Sequence, residues 1–458
     1  MANRLAAHIN DAAITLLDGD RVVYREPGFA LLDGRELTTG NEAFAHARIN
    51  PRGIQHRFWS ELSTSPLADR RFGHLSAADL ASRQLEQMWA AASGSGGGLV
   101  IAVPAYMEAA SLGLLLGIAS ELELPVAALV DASVAATRRE YRNAVPVHVD
   151  ISLHATTLTR LAQADQVQVE RAELLRDCGL HVLYDAWLNV VAAAFVRQSR
   201  FDPLHTAETE QVLYNNIAGW LADAARADRV VLELAHGGMT HQAEIESLAL
   251  IGAAAPWYQH IASKLRALYR AGETPAIQVT DRVSRLPGLA DMLTARVGGE
   301  LFTLEPGATA RGALARCREV TPGGEGVGLR RRLAWDQAPA DVTAEAARGG
   351  MAGVPTHLLF RSTAFPIRRE PLVLGTEPGN GERTIVLPAD MPGISRRHCA
   401  LTLVDGQCVL EDHSRYGTFL NGHRIDGSTV LKIGDSVRIG SPGYELQMIT
   451  TDEKAYGT

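Results

Sequence analysis

The sequence is poor in cysteine, in long apolar runs and in positive charge. Its four cysteines, Cys178, Cys317, Cys399 and Cys408, are scattered and none belongs to a Cys-x-x-Cys pair. This spacing excludes a disulfide scaffold and predicts free thiols in a reducing compartment. The longest nearly apolar run, residues 109–120, is shorter than the roughly 20 residues that a membrane-spanning helix needs. A formal net charge of −8 gives no general attraction to nucleic acid or to an anionic membrane.

An apolar leader is also missing from the first residues, MANRLAAHIND, so we expect a cytoplasmic protein. What is present is the composition of a soluble globular chain, with 46% hydrophobic and 21% charged residues. A length of 458 residues is too large for one hydrophobic core and predicts two or three domains.

Residues 1–335 alternate strand-like and helix-like segments, which predicts an α/β domain. The run Leu99–Val103 is apolar enough for a buried strand, and the leucines that follow it recur at helical spacing. Another helix is predicted to begin after Ser76, with Asp79 at the favourable third position. The glycine-rich SGSGGG at 93–98 follows a helix and precedes a strand. Since a phosphate loop has the opposite order, we interpret this segment as a turn.

The composition changes near residue 336. Residues 336–356 are rich in Ala, Gly and Pro without an apolar period, and we interpret them as a linker. From 357 to 450, short alternating segments are separated by Gly, Pro, Asn and Asp, which predicts an all-β sandwich. Within it, LVDGQCVL at 403–410 is typical of a hairpin.

Seven segments of the first domain resemble, in chain order, the nucleotide-binding domain of the DnaK-type heat-shock chaperones. They are LDGDRVVYREPGFALLDGRELTTGNEAFAHARINP, LVIAVPAYMEAA, LPVAALVDASVAATRREY, VHVDISLHATTLTRL, MTHQAEIESLALIGAAAPWYQHIASKLRAL, TPAIQVTDRVSRLPGLADML and LEPGATARGALA. The resemblance covers residues 1 to about 320 and implies a two-lobed, actin-like ATPase fold with ribonuclease-H-like lobes. The chaperones' substrate-binding sandwich and lid have no counterpart, because the chain passes into the linker.

The positions that handle phosphate in the resembled family carry other side chains here. Such sites need glycine where backbone approaches phosphate, and carboxylates that organise Mg²⁺ and water. Aligned without gaps, the first loop's glycine becomes a histidine, the lysine falls on a tryptophan and the glutamate on an alanine. An aspartate of the second loop is kept, but glycines there and in the adenosine motif are replaced. The degenerate positions are His8, Trp59, Ala132, Asp150, Leu153, His154, Asp281 and Arg282.

These replacements predict a pseudo-ATPase, that is, no enzyme, no cofactor and no metal. Side chains at Leu153 and His154 would occupy the space of the β- and γ-phosphates, and Asp281 would add negative charge. Asp150 is interpreted as a polar strand end rather than as a metal ligand. The alternative is a family member with an unusual nucleotide pocket, which residual ATP binding would favour.

The last domain resembles a forkhead-associated (FHA) domain. The segments that carry the resemblance are LVLGTEP, ISRRHCAL, LEDHSRYGTFLNGHRI and LKIGDSVRIG. The resemblance covers about 357–450 and implies a β-sandwich whose loops at one end bind phosphothreonine peptides. A phosphate is bound by hydroxyl, backbone N–H and guanidinium donors.

The resemblance places the phosphopeptide site on Ser395, Arg396, Arg415, Tyr416, Asn421 and Thr376. His398, Gly375 and Gly417 match positions that shape or brace the loops. Two positions depart from the family, because Thr376 stands where an arginine is usual and Tyr416 where an asparagine is usual. Weakened phosphate binding is therefore expected, and an intact fold that binds an unphosphorylated partner is the alternative.

Together these features predict a non-catalytic adaptor or scaffold. A chaperone-like pseudo-ATPase domain would be coupled to an FHA domain that docks a phosphothreonine protein, without nucleic acid and without membrane insertion. One alternative is an active ATP-dependent switch. The other is a structural subunit that uses the FHA domain for phosphate-independent docking.

Overall fold

The computed structural model describes residues 5–19, 21–34, 36–92, 98–316, 327–336, 354–360, 363–377, 379, 383–387, 394–404, 406–415, 417–420, 423–425, 427–432, 435–439 and 444–449. The chain divides into two compact units, Met1–Ala338 and Pro339–Thr458. Outside the described residues lie Cys317, the predicted turn at 93–98 apart from Gly98, and the predicted linker apart from residues 336 and 354–356.

The first unit mixes strands and helices throughout. Its strands are β1 (Leu5–His8), β2 (Ile14–Asp18), β3 (Arg21–Glu26), β4 (Ala30–Asp33), β5 (Glu36–Thr39), β6 (Ile54–Gln55), β7 (Leu99–Val103), β8 (Val126–Asp131), β9 (Val145–Ile151), β10 (Ala155–Gln163), β11 (Gln166–Arg176), β12 (Arg229–His236), β13 (Met239–Glu246), β14 (Pro275–Val279), β15 (Glu300–Thr303), β16 (Leu329–Arg330) and β17 (Arg332–Ala334). Its helices are α1 (Asn41–Phe44), α2 (Ala77–Ala90), α3 (Ala109–Glu121), α4 (Ala132–Ala136), α5 (Leu180–Ser199), α6 (Ala207–Ala224), α7 (Ser247–Arg266), α8 (Asp281–Ser284), α9 (Leu289–Val297) and α10 (Ala308–Ala315), with a 3-10 turn at Arg70–Phe72.

Two large sheets of this unit share one order for five of their six strands, and the sixth strand lies at opposite ends. Sheet I has the order β16-β8-β7-β1-β2-β3, and sheet II has the order β15-β14-β9-β10-β11-β17. In each, three consecutive strands form an antiparallel meander, and two later strands return parallel to the first of them. The α/β prediction for the first domain is therefore confirmed.

The sequence patterns around β7 are confirmed in detail. Every residue of Leu99–Val103 is buried, as expected of a strand with parallel neighbours on both sides. Helix α2 begins with the predicted capping box, in which the Ser76 hydroxyl accepts from the Asp79 N–H and the Asp79 carboxylate accepts from the Ser76 N–H.

Helices α4 and α10 connect the two sheets. Helix α4 lies between β8 and β9 in the chain and α10 follows β15, and the two helices pack on each other. The crossing is close because Gly312 has no side chain, and a Cβ there would lie 1.8 Å from the carbonyl oxygen of Ala135. The buried guanidinium of Arg316 donates to the carbonyls of Val134 and Thr137 at 3.0 and 3.2 Å, so one side chain fixes the end of α4 against α10.

The second unit is a β-sandwich, as predicted. Its strands are β18 (His357–Phe360), β19 (Thr363–Pro366), β20 (Leu372–Gly375), β21 (Arg383–Val386), β22 (Cys399–Val404), β23 (Gln407–Asp412), β24 (Thr418–Leu420), β25 (His423–Arg424), β26 (Ser428–Leu431), β27 (Ser436–Ile439) and β28 (Tyr444–Ile449). Its sheets have the orders β19-β18-β28-β27-β24-β25 and β21-β20-β22-β23-β26. Strands β22 and β23 form the predicted hairpin, and Cys399 and Cys408 are buried free thiols on these neighbouring strands.

Candidate functional site

Two groups of polar side chains are candidates, one in each unit. The first, which we call the Asp150 group, lies where the ends of β1, β9 and β14 meet and consists of His8, Asn10, Asp150, Thr280 and Arg282. Asp150 Oδ2 accepts from Asn10 Nδ2 at 2.8 Å, and Oδ1 accepts from the Thr280 hydroxyl at 2.9 Å. Arg282 Nη1 lies 3.4 Å from Oδ1, and His8 Nε2 lies 4.0 Å from Oδ2. Both carboxylate oxygens are thus occupied by donors of the protein itself.

The electrostatics of the group keep Asp150 ionised. Burial would raise the pKa of this carboxyl, but Arg282, His8 and the Thr280 hydroxyl together hold it below its ordinary value. Burial lowers the pKa of His8 to about 4, so this imidazole is neutral at pH 7. The principal counter-charge of Asp150 is therefore Arg282, which stands where the resembled family has glycine.

Backbone donors near the group are also engaged. The Leu153 N–H donates to Asp11 Oδ1 at 2.7 Å, and the Ala12 N–H donates to Asn10 Oδ1 at 3.0 Å. His154 Nε2 lies 3.0 Å from His56 Nδ1, and the two rings stack with centroids 4.9 Å apart. Side-chain hydrogen bonds therefore join the β1–β2 turn to the end of β9 and to the β9–β10 turn, and the N–H groups of Ala12 and Leu153 are used within the protein.

The structure brings together some of the predicted positions and separates others. His8, Asp150 and Arg282 are in contact, and Asp281 lies beside them with its carboxylate 3.1 Å from Arg285. The alignment without gaps puts the lysine of the resembled family near Trp59, which the structure buries. Its indole is buried in the core beside sheet I and donates to Gln84 Oε1 at 2.7 Å, because a large apolar ring gains more from burial than from a solvated cleft.

Ala132 is buried in the first turn of α4, where the Asp131 side chain caps the helix. The sequence reasoning missed Asn10, Asp11 and Thr280. A signal for the first two was present, since Asn10 and Asp11 follow directly after the mostly apolar run LAAHI at 5–9.

The second candidate group lies in the loops of the sandwich. Ser395 Oγ accepts the Arg415 N–H at 3.2 Å, which leaves the hydroxyl proton able to donate. The Ser395 N–H donates to His398 Nδ1 at 3.1 Å. Since His398 is fully buried and burial lowers its pKa, it acts as a neutral brace. The structure thus places Ser395, Arg415 and His398 together, as the resemblance implies.

Two glycines shape these loops. A Cβ on Gly375 would lie 1.9 Å from the carbonyl oxygen of Arg396, so only glycine lets β20 approach that loop. Gly417 has a φ of +97°, and a Cβ there would lie 2.5 Å from Arg424 Nε. Next to it, Thr418 and Ser414 are tied to Asp412, with the Thr418 hydroxyl 2.7 Å from Asp412 Oδ1.

The cationic side chains of this group are exposed. Arg415 is exposed, and Arg396 Nε lies 3.4 Å from the Glu377 carboxylate, with both side chains mostly in solvent. Half-buried Thr376 lies on the same loop edge, where its N–H donates to the Ser395 carbonyl at 3.3 Å. Tyr416 and Asn421 lie outside the described residues.

Comparison with known families identifies the second unit. Residues 373–440 match the model of the FHA domain, a span that includes every described residue of the second candidate group. A search of curated proteins returned no match to the chain. Helices in the described ranges are all too short or too polar to cross a bilayer. The His, Cys, Asp and Glu side chains of those ranges form no group of three or more suited to a metal ion.

Proposed function

We propose that this protein is a non-catalytic adaptor that docks a phosphothreonine-containing protein through its FHA domain. The observation that carries the proposal is the arrangement of Ser395, Arg415 and His398 within the span that matches the FHA family. Ser395, Arg396 and Arg415 lie in two loops that are joined by the hydrogen bond from the Arg415 N–H to the Ser395 hydroxyl, and both arginine side chains are exposed. A phosphothreonine has three acceptor oxygens and a charge of about −1.5 to −2, which suits that set of donors.

Thr376 modifies the expected affinity. It stands where the resembled family has an arginine, and one charged hydrogen bond contributes about 1.5–3 kcal/mol. Binding should therefore be weaker than is usual for such a domain and should fall steeply with salt.

For the first unit we propose a degenerate, actin-like domain of the chaperone ATPase type that serves as a scaffold. The repeated strand order of sheets I and II supports the fold assignment. The occupied oxygens of Asp150 and the engaged N–H groups of both turns support the loss of phosphate handling. Mg-ATP should give no heat of binding in calorimetry and no turnover above the buffer blank. Saturable micromolar binding would favour an ATP-dependent switch instead.

The adaptor role is tested by affinity capture from native lysate. The full chain should retain a partner from untreated lysate and lose it after phosphatase treatment. Ser395→Ala should lose the same partner, whereas Ser428→Ala, an exposed serine on β26, should retain it. Retention by Ser395→Ala or from phosphatase-treated lysate would favour a structural subunit that docks independently of phosphate.

A further inference from the structure

The first unit contains a cavity of about 330 Å³. It is bordered by the β1–β2 turn, the end of β3 and α1 on one side, and by α5, α6 and α8 on the other. Most of its wall is apolar and is formed by Phe29, Phe44, Leu180, Ile217, Leu221 and Leu286. Protein interiors rarely leave voids larger than a water molecule, and small-molecule pockets begin at about 300 Å³. The cavity is therefore large enough for a ligand.

The charges around the cavity cancel. The charged residues that line the cavity are Arg25, Arg282, Arg285, Glu26 and Asp281. A sixth charged residue, Asp150, lies behind Arg282. Arg285 lies 3.1 Å from the Asp281 carboxylate, Arg25 lies 3.9 Å from it, and Arg282 lies 3.4 Å from Asp150. Arg25 and Arg285 thus share the Asp281 carboxylate, and Arg282 faces Asp150. Glu26 supplies the third negative charge, so the wall offers no surplus charge to an anion.

Backbone donors at the cavity are not available either. Ala12, Ala13 and Leu153 border it, and their N–H groups donate to Asn10 Oδ1, the Asn10 carbonyl and Asp11 Oδ1 at 3.0, 2.8 and 2.7 Å. A polyphosphate would meet neither free N–H groups nor net positive charge. The chemistry of the wall therefore selects against an anionic ligand.

Aromatic side chains form part of the wall. Phe29, Phe44, Tyr184 and Tyr214 line the cavity, and the Arg48 guanidinium lies 4.4 Å from the centroid of the Tyr214 ring and holds that ring in place. Aromatic rings pack well against other flat rings, so the wall suits a ring compound.

We propose that this cavity binds an uncharged, largely apolar ring compound. The proposal gives the first unit a small-molecule binding activity that goes beyond phosphopeptide docking by the second unit. The class of ligand follows from the balanced charges and from the apolar, partly aromatic wall.

The test is fluorescence titration of the full chain with two naphthalene probes of similar size. Prodan is uncharged and carries a ketone acceptor, whereas 1-anilinonaphthalene-8-sulfonate carries one negative charge. We expect saturable one-to-one binding of Prodan and at least tenfold weaker binding of the sulfonate. Millimolar ATP should not displace Prodan.

Variants locate the site. Ala218 is an exposed lining residue of α6, so Ala218→Trp should fill the cavity without disturbing the core and weaken Prodan binding at least tenfold. Ala110→Trp, at an exposed position of α3, is the matched control and should bind normally.

Three results would overturn the proposal. They are absence of saturable Prodan binding, binding that Ala218→Trp leaves unchanged, and displacement by ATP or preference for the sulfonate. The capture experiment with native lysate reports on binding by the second unit, whereas the Prodan titration reports on the cavity of the first unit. A failure of the ligand proposal is therefore distinguishable from a failure of the adaptor role.

Discussion

Asp11 makes the stability of the first unit depend on pH in an unusual direction. The residue is completely buried, its Oδ1 accepts the Leu153 N–H at 2.7 Å, and its Oδ2 has no partner among the described residues. Burial is the main cause that raises the pKa of this carboxyl from 3.8 to about 6. At pH 7 the folded protein therefore holds a buried negative charge with one hydrogen bond.

The magnitude follows from the pKa difference. The folded state keeps the Asp11 proton up to about pH 6, whereas the unfolded chain loses it near pH 4. Stability therefore falls as pH rises through that window, and the loss is complete above it. About two pKa units at 1.36 kcal/mol each correspond to roughly 3 kcal/mol. Asp11→Asn keeps the acceptor for Leu153 and cannot ionise, so it should raise the free energy of unfolding by up to about 3 kcal/mol at pH 7.5 and by about half of that at pH 5.

The assay can isolate the first unit in the intact chain. All six tryptophans lie before residue 336, so urea unfolding followed by tryptophan fluorescence reports that unit alone. Asp33→Asn, at the exposed last residue of β4, is the matched control and should change stability little at either pH. If Asp11→Asn raised the free energy of unfolding equally at both pH values, or did not raise it at pH 7.5, the reasoning would be refuted.

Three further predictions concern single contacts. Gly375→Ala should lower the melting temperature of the sandwich and abolish phosphopeptide binding, because the new Cβ would lie 1.9 Å from the Arg396 carbonyl oxygen. Differential scanning calorimetry measures the first effect and peptide titration the second. Unchanged peptide binding would contradict the prediction. Glu377→Gln should strengthen phosphopeptide binding a few-fold at low salt by releasing Arg396, and weaker binding would count against this role. Arg316→Met should lower the free energy of unfolding, followed by tryptophan fluorescence, by roughly 3 kcal/mol or more, since it leaves several buried carbonyls without a donor. A decrease below 1 kcal/mol would show that the packing of α4 on α10 does not depend on Arg316.

Local patterns predicted much of the fold. Neighbours in the sequence determine the capping box at Ser76 and Asp79, and the same is true of the apolar run of β7. A few consecutive residues were therefore sufficient to predict the start of α2 and the position of β7. The loops of the sandwich were placed by the resemblance to the FHA family rather than by a local pattern, and in the structure Ser395 contacts both His398 and Arg415.

Contacts between distant segments could not be predicted in this way. Asn10 and Asp150 are 140 residues apart, and their hydrogen bond depends on how the two sheets meet. The burial of Trp59 could not be predicted either, because an alignment without gaps assigns a position but does not tell whether the side chain faces the core. Asp11 was missed because its burial depends on the β9–β10 turn, which packs over it only in the folded unit.

The central claim is that the sandwich recognises phosphothreonine, and fluorescence anisotropy against a degenerate phosphothreonine peptide library tests it most directly. The unphosphorylated library is the control peptide set, and Arg369→Ala, at an exposed position away from the loops, is the control variant. We predict binding of the phosphorylated library alone, stronger with Thr376→Arg and about ten- to a hundredfold weaker with Ser395→Ala or Arg415→Ala. Equal binding of both libraries, or no binding even with Thr376→Arg, would contradict the claim.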